Sequence, residues 1–565
     1  MLRKYTRIKF DRSADLPSLP QLVKLARLAN LKQKYQVLIL GIISICALVA
    51  AVALGSNAFM ITTASTGGSF TEGVLGVPRF INPILSTSEA DRDLVALVYS
   101  GLLKAEPDEK FSLNLASNYS ISEDATIYTV TLKDNLKWHD GHPVTSADIV
   151  YTVHQIQNDL VRSPRRANWE GVSIEAEDEK TVRLTLKQAY SPFLENLTEN
   201  ILPEHIWKNV TAEEFALSVN NIEAIGTGPY KIDRIKTDST GIPTSIELVT
   251  NSSYALGEPF IERIIFKFFS NETDLIKAYE NKQVDSISGL STEASKTLQD
   301  DGVDILSVPL SRLFAIFFNQ NQSIILADIN VKLALSLAVN RSDVITFALS
   351  GFGSTMSFDD REQNIEEARK ILDNAGWKLV SGSEVREKKG KPLSFTLATS
   401  DSPELSRAAK IISDQLKEIG VAVDVKIYEV SDLNTNVIRP RKFDALLFGE
   451  VIGHFPDLYA FWHSKQRLDP GLNIAGYTNS SVDTALEAAR QTSDTRERAK
   501  FFATFEHELS RDIPAIFLYS PHYTYIPPEK VKNIKLETSG NASDRFANVY
   551  KWYISTDRVW KIFAR

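Results

Sequence analysis

Polarity along this chain changes period several times, and each change predicts an element. Residues 37–55 (VLILGIISICALVAAVALG) carry no charge. At about 1.5 Å per residue a helix of this length reaches roughly 28 Å, close to the thickness of a bilayer's hydrocarbon core. Beyond residue 70 the runs shorten. Residues 127–133 (IYTVTLK) and 181–187 (TVRLTLK) alternate apolar and polar positions and predict half-buried strands. Between them Thr145 and Asp148 suit a helix start, and Ile149, Val153 and Ile156 form one apolar stripe. Residues 393–399 predict a strand. Leu405, Ala409, Ile412, Leu416 and Ile419 then recur at helical spacing, and Gly420 suits a left-handed cap. Val421, Val423, Val425 and Ile427 alternate again. Strand, helix and strand in this order predict parallel pairing through a right-handed crossover. Residues 482–510 read as two helices broken near Ser493–Thr495, and 515–520 (AIFLYS) as a buried strand. Alternating strand and helix signals place the ectodomain in the α/β class.

Charge turns the first run into a topology. Upstream lie Arg3, Lys4, Arg7, Lys9, Arg12, Lys24, Arg27, Lys32 and Lys34 against Asp11 and Asp15; downstream the first base is Arg79. The positive-inside rule puts residues 1–36 in the cytoplasm and the large C-terminal part outside. These nine bases and two acids carry +7, so the rest of a chain of net charge −8 stands near −15. An uncleaved single-pass signal-anchor at 37–55 is expected, followed by a small, polar tether at 56–69. Ala51-Val52-Ala53 keeps a cleaved signal peptide open. A lipoprotein signal is disfavoured because Ile45 precedes Cys46, the only cysteine. That lone thiol also excludes an intramolecular disulfide and a Cys/His zinc box. The acidic balance excludes a nucleic-acid partner.

Several short motifs stand in a particular order. Residues 136–151 read LKWHDGHPVTSADIVY; Ile81-Asn82-Pro83, Ile201-Leu202-Pro203-Glu204-His205, Gly226-Thr227-Gly228-Pro229-Tyr230, Phe318-Asn319, 368–377 (ARKILDNAGW) and 455–464 (FPDLYAFWHS) accompany it. In this order they resemble the family 5 extracellular solute-binding proteins, the dipeptide-, oligopeptide- and nickel-binding receptors of ABC importers, over residues 70–535. The resemblance implies a two-lobed clamshell with an inserted subdomain. Lobe I would comprise 70–104, 224–310 and 536–565, the insert 105–223, and lobe II 311–535. Ligand would bind between the lobes.

The chemistry at each motif is weighed separately. His139, Asp140 and His142 could ligate a metal, but no third histidine is near in sequence and a tight turn through Gly141 accounts for the same residues; no metal and no cofactor is expected. Gly226 and Gly228 lack the spacing of a phosphate loop and are expected to let the chain turn. In peptide-binding relatives the loop matching 450–462 carries an aspartate that pairs with the ligand's α-amine. His454 stands at that position here, so Glu450 or Asp457 would take the role, or the amine is not read this way. The candidate ligand-binding residues are Glu450, His454, Phe455, Asp457, Trp462, Arg312 and Asn319, with Arg312 facing a ligand carboxylate. The short Gly351–Thr355 segment implies a trimmed pocket wall.

The resulting expectation is a monomeric, membrane-anchored binding protein that is not an enzyme. Its partners are a peptide or peptide-like solute and the ABC permease subunits. The same fold leaves open a metal chelate or an oligosaccharide as ligand. An extracytoplasmic hydrolase finds no support, because no G-x-S-x-G or H-E-x-x-H occurs.

Overall fold

Hydrophobic alternation along short strands needs a shared sheet to be satisfied, and one sheet runs through most of this molecule. The computed structural model describes residues 30–106, 110–358, 361–453, 457–492, 494–536 and 540–560. By internal packing it divides into a small unit (1–65 with 556–565) and a large one (66–555).

In the small unit a single helix, Leu31–Phe59, contains the whole apolar run. Leu31–Ala50 is long and apolar enough to cross a membrane, and none of it is buried in the protein. The tether stretch is more ordered than expected. Met60–Ser65 is a strand paired with Ser555–Trp560. Ile61, Thr62 and Thr63 supply the β-branched residues that favour pairing.

In the large unit twelve strands form the main sheet. One half runs Ala422–Tyr428, Ser394–Ser400, Ala445–Val451 and Arg312–Phe318; the other runs Ser286–Ser288, Ser69–Leu75, Arg263–Phe269, Pro243–Thr250 and Tyr230–Thr237. Between them lies the long strand Ala515–Ile526. Its first residues pair antiparallel with Arg312–Phe318, and its last pair with Leu306–Pro309 and Ser286–Ser288. This strand outruns the six residues read from the sequence because its second half (PHYTYI) is polar enough to mask the signal. The predicted crossover is present: Ser394–Ser400 and Ala422–Tyr428 pair in parallel, joined by the helix Pro403–Lys417. Gly420 follows with φ +79°. The pair of late helices is also present, as Ser480–Gln491 and Thr495–Asp512.

A second sheet carries Ala116–Ile121, Ile127–Leu132, Thr181–Thr185 and Ser173–Ala176, all antiparallel. The helix Ser146–Gln157 covers it through Ile149, Val153 and Ile156. Its core is continuous with that of the second half of the main sheet. Two further cores lie on the first half of the main sheet, one of them around Leu335, Ile412 and Leu447 and the other around Trp462, Phe505 and Phe517. The large unit is thus a mixed α/β fold, one twelve-stranded sheet with a smaller antiparallel sheet beside it.

Candidate ligand-binding cleft

One carboxylate ties the motifs at 136–151 and 201–205 together. Asp148 sits in the first turn of Ser146–Gln157, where an acid is favoured. It accepts the backbone N–H of Thr145 at 2.9 Å, the indole N–H of Trp138 at 3.3 Å and the N–H of Glu204 at 2.8 Å. Asp148, rather than Thr145 alone, therefore organises this helix start. It also brings the 201–205 segment against the turn at 138–143.

The turn itself docks through His139. Its Nδ1 accepts the N–H of Gly226 at 3.2 Å, so Nε2 carries the proton and donates to the Gly228 carbonyl at 3.2 Å. Burial lowers its pKa to about 4. Both ring nitrogens are occupied, which removes His139 from any metal set. Gly141 has φ +92°, as a tight turn requires. Gly226 and Gly228 serve a different purpose from the turn predicted for them. A Cβ at Gly226 would lie 1.9 Å from the Val98 carbonyl oxygen, and one at Gly228 would lie 2.4 Å from that of Leu97. Close backbone approach, not backbone direction, demands glycine here.

A cavity of about 640 Å³ opens in the large unit. Its wall includes the helix Glu89–Val98 and the residues after it (Arg92, Tyr99), Asn114, Arg165, Tyr190 and Glu199, residues 451–453 and 457–461 (Val451, Gly453, Asp457, Phe461), Tyr523, and Asn541, Arg545 and Asn548 near the C-terminus. Four wall atoms are buried without a hydrogen-bond partner: Tyr99 Oη, Asn114 Oδ1, Tyr523 Oη and Arg165 Nε. Arg165 lies 3.5 Å from Glu199 as a loose ion pair. Arg92 donates only to neutral oxygens, those of Ser88, Thr87 and Asn541. Burial, and next the charge of Arg165, lower its pKa.

Arg545 in the wall is neutralised from behind. Glu72 accepts from it at 2.9 Å and Asp93 at 2.6 Å, and all three side chains are essentially inaccessible. Ser288 Oγ and the Ala542 carbonyl take further donors, and Tyr525 and Ser286 complete Glu72. Burial pushes the Asp93 carboxyl up even against Arg545.

The predicted site residues scatter. Asp457 lines the cavity, but Arg490 grips it with two bonds at 2.9 and 2.6 Å, and Tyr190 donates to it at 3.0 Å. Glu450 is buried in the strand Ala445–Val451, opposite Leu313; its Oε1 has no partner, and burial raises its pKa well above the usual range. Arg312 pairs with Val451 at the start of its strand, with Nε buried and unpartnered. Neither Glu450 nor Arg312 borders the cavity. Trp462 is 1 % exposed and packs on Phe317, Phe505 and Phe517. Asn319 binds the Arg441 carbonyl and the N–H of Asn321, capping the end of its strand. His454 and Phe455 lie outside the described residues. Gly353–Thr355, in the short segment expected to trim a pocket wall, instead adds a strand to the sheet against 519–521.

Comparison with known proteins decides the family. The family described as bacterial extracellular solute-binding proteins, family 5 Middle, matches residues 110–467. The chain belongs to this family. Among its relatives is the oligopeptide-binding protein AppA of Bacillus subtilis, 26% identical over 511 residues, 86% of this chain and 92% of AppA. The structure of that protein in complex with a nonapeptide superposes with a TM-score of 0.66, covering 87% of this chain and all of AppA. NikZ of Campylobacter jejuni in complex with Ni(L-His) is also 26% identical, with a TM-score of 0.66 over 86% of this chain and 99% of NikZ. A putative ABC transporter peptide-binding protein of Brucella ovis is 25% identical over 462 residues, 78% of this chain and 85% of that protein. Members of the family are extracytoplasmic binding proteins.

Tyr99, Asn114, Arg165 and Tyr523, which bear buried wall atoms without a hydrogen bond, carry no signal in the sequence. Each sits in an ordinary local pattern. Only the orphaned buried atoms, visible in three dimensions, distinguish them.

Proposed function

We propose that this chain is the membrane-held receptor of an ABC importer and captures short peptides with their carboxylate toward Arg92 and Arg165. The observation that carries this reading is the set of buried polar atoms without a hydrogen bond in the cleft wall, Tyr99 Oη, Asn114 Oδ1, Tyr523 Oη and Arg165 Nε, beside Arg92, whose hydrogen bonds among the described residues go to neutral oxygens. Buried polar groups are normally satisfied, so such a set calls for a polar guest. About 640 Å³ lies within the range of pockets that enclose small molecules. The names of AppA and the Brucella protein favour a peptide; NikZ shows that the fold also serves a metal chelate.

In this reading lobe I comprises 70–104, 224–310 and the return after 536, the insert 105–223 and lobe II 311–535. The lobes hinge where two strands cross between them, at Leu310 and Pro521, which share a backbone bond of 2.9 Å. Ligand favours the closed form only by contacts it gains there. The ligand leaves unaltered, so the chain is not an enzyme. The helix Leu31–Phe59 stays uncleaved and keeps a monomeric receptor beside its permease, raising its effective concentration.

The test is calorimetry with free and C-terminally amidated tripeptides, with mass spectrometry of the recovered ligand. We expect amidation and Arg92→Ala each to weaken binding about tenfold or more, as loss of a charge-assisted bond does. Equal affinity for acid and amide would refute the assignment of the carboxylate end. Cleaved peptide would refute a binding role.

A further inference from the structure

We propose that the outer face of the inserted subdomain holds a transition-metal dication between Asp140, His142 and His205, apart from the ligand cleft. The cluster joins two segments 62 residues or more apart in sequence. Asp140 and His142 sit on the turn after Trp138, and His205 on the short helix Glu204–Trp207. Asp148 fixes both, through the Trp138 indole and the Glu204 N–H. The geometry that results is a chelating one. His205 Nε2 lies 2.7 Å from Asp140 Oδ2, and His142 Nδ1 lies 3.2 Å from Asp140 Oδ1. The two imidazoles stack with centroids 4.2 Å apart. All three donor atoms fall within 4.8 Å of one another.

An ion bonded to each donor at about 2.0–2.1 Å would hold any two of them within about 4.2 Å. The donor atoms already lie near that limit, and the stacked His142 ring has to turn so that its lone pair meets the ion in the ring plane. His142, whose side chain is 61% exposed, is free to supply that movement. Two imidazoles and a carboxylate suit Zn²⁺, Ni²⁺ or Cu²⁺ and not Mg²⁺ or Ca²⁺, which prefer all-oxygen shells. Water would fill the remaining position, because the face is open. His139 does not join, since both its nitrogens are engaged by Gly226 and Gly228. None of the three residues borders the cleft cavity, so the ion would sit there independently of the cargo. It would fasten the turn to the helix without touching the transported solute.

The experiment is isothermal titration of the full-length chain, in detergent and stripped with chelator, with ZnCl₂ and with NiCl₂. One saturable equivalent is expected, with a rise in melting temperature. His142→Ala and His205→Ala should each weaken it at least about tenfold. His142→Ala changes an exposed side chain, so its melting curve without metal should match the parent and separate ligation from misfolding. A second readout is paramagnetic broadening by Ni²⁺ of the histidine ring resonances. Those of His142 and His205 should broaden first among the 8 histidines. Absence of saturable binding overturns the proposal. So does full binding by the doubly substituted chain, or first broadening at any other histidine.

Discussion

Two arginines of this protein each grip carboxylate, and they do opposite things. Arg545 is enclosed with Glu72 and Asp93 in the interior of the large unit, with no exposure at the guanidinium or at Glu72. Arg490 and Asp457 keep 25% and 19% of their side-chain surface. Tyr190 reaches Asp457 from the inserted subdomain, Ser191 N–H bonds the Arg490 carbonyl at 2.7 Å, and the Arg490 guanidinium stacks 3.8 Å from the Tyr459 centroid. The buried network cannot open without stranding charge in a dry interior. The partly wet one loses little when its bonds pass to water, so it suits the contact proposed to form and break as the lobes close. Desolvation, not the identity of the pair, decides between scaffold and latch.

The largest expected effect strikes the buried side of this contrast. Arg545→Met leaves Glu72 and Asp93 uncompensated and should cost about 3–5 kcal/mol in denaturant unfolding. A loss below about 1 kcal/mol would mean that water already reaches the network and that the contrast is false.

The next effect appears as pH dependence. His139 keeps a pKa of about 4 in the fold against 6.5 when exposed. Between those values the unfolded chain takes up a proton that the folded chain refuses. Stability therefore falls as pH drops from 6.5 toward 4, by about 3 kcal/mol in full, and is unaffected by this group above 6.5. His139→Gln should flatten that part of the slope. Unfolding free energies at pH 7.5 and 4.5 for both chains check it.

The latch should respond more weakly and in another observable. Tyr190→Phe removes one bond to Asp457, worth about 1 kcal/mol. Ligand affinity should fall about fivefold and the scattering radius of the closed form should rise, while unfolding stays nearly unchanged. Equal loss of affinity and global stability would make the contact part of the scaffold. The smallest effect belongs to a fully wet pair. Lys180→Ala, which frees exposed Asp134, should leave the melting temperature where it was.

These contrasts were unevenly legible in the sequence. The strand Ile127–Leu132 shows the alternating burial that its letters predict, and the helix Pro403–Lys417 buries the predicted stripe. Gly226 and Gly228 were recognised as needing glycine, yet for the wrong reason, because the carbonyls they approach belong to residues 97 and 98. Of the proposed site residues, Asp457 borders the cleft, whereas Trp462 and Asn319 are framework. An aromatic near a binding motif and an aromatic in a core read alike along a chain. Along the chain His139, Asp140 and His142 lack a third histidine nearby and read as a tight turn. Folding turns His139 inward and supplies His205.

By itself the sequence determined what depends on neighbours a few residues away: the apolar helix and its flanking charge, the periods of strand and helix, and the ordered motifs that mark the family. Those are local sums over hydrophobic transfer and backbone preference, and they survive without knowledge of the fold. Tertiary structure alone decided which polar groups meet. Arg545 finds Glu72 across more than four hundred residues, and Asp140 finds His205 across sixty-five. Coulomb energy and desolvation depend on distance and burial in space, and neither quantity is written in the spacing of letters.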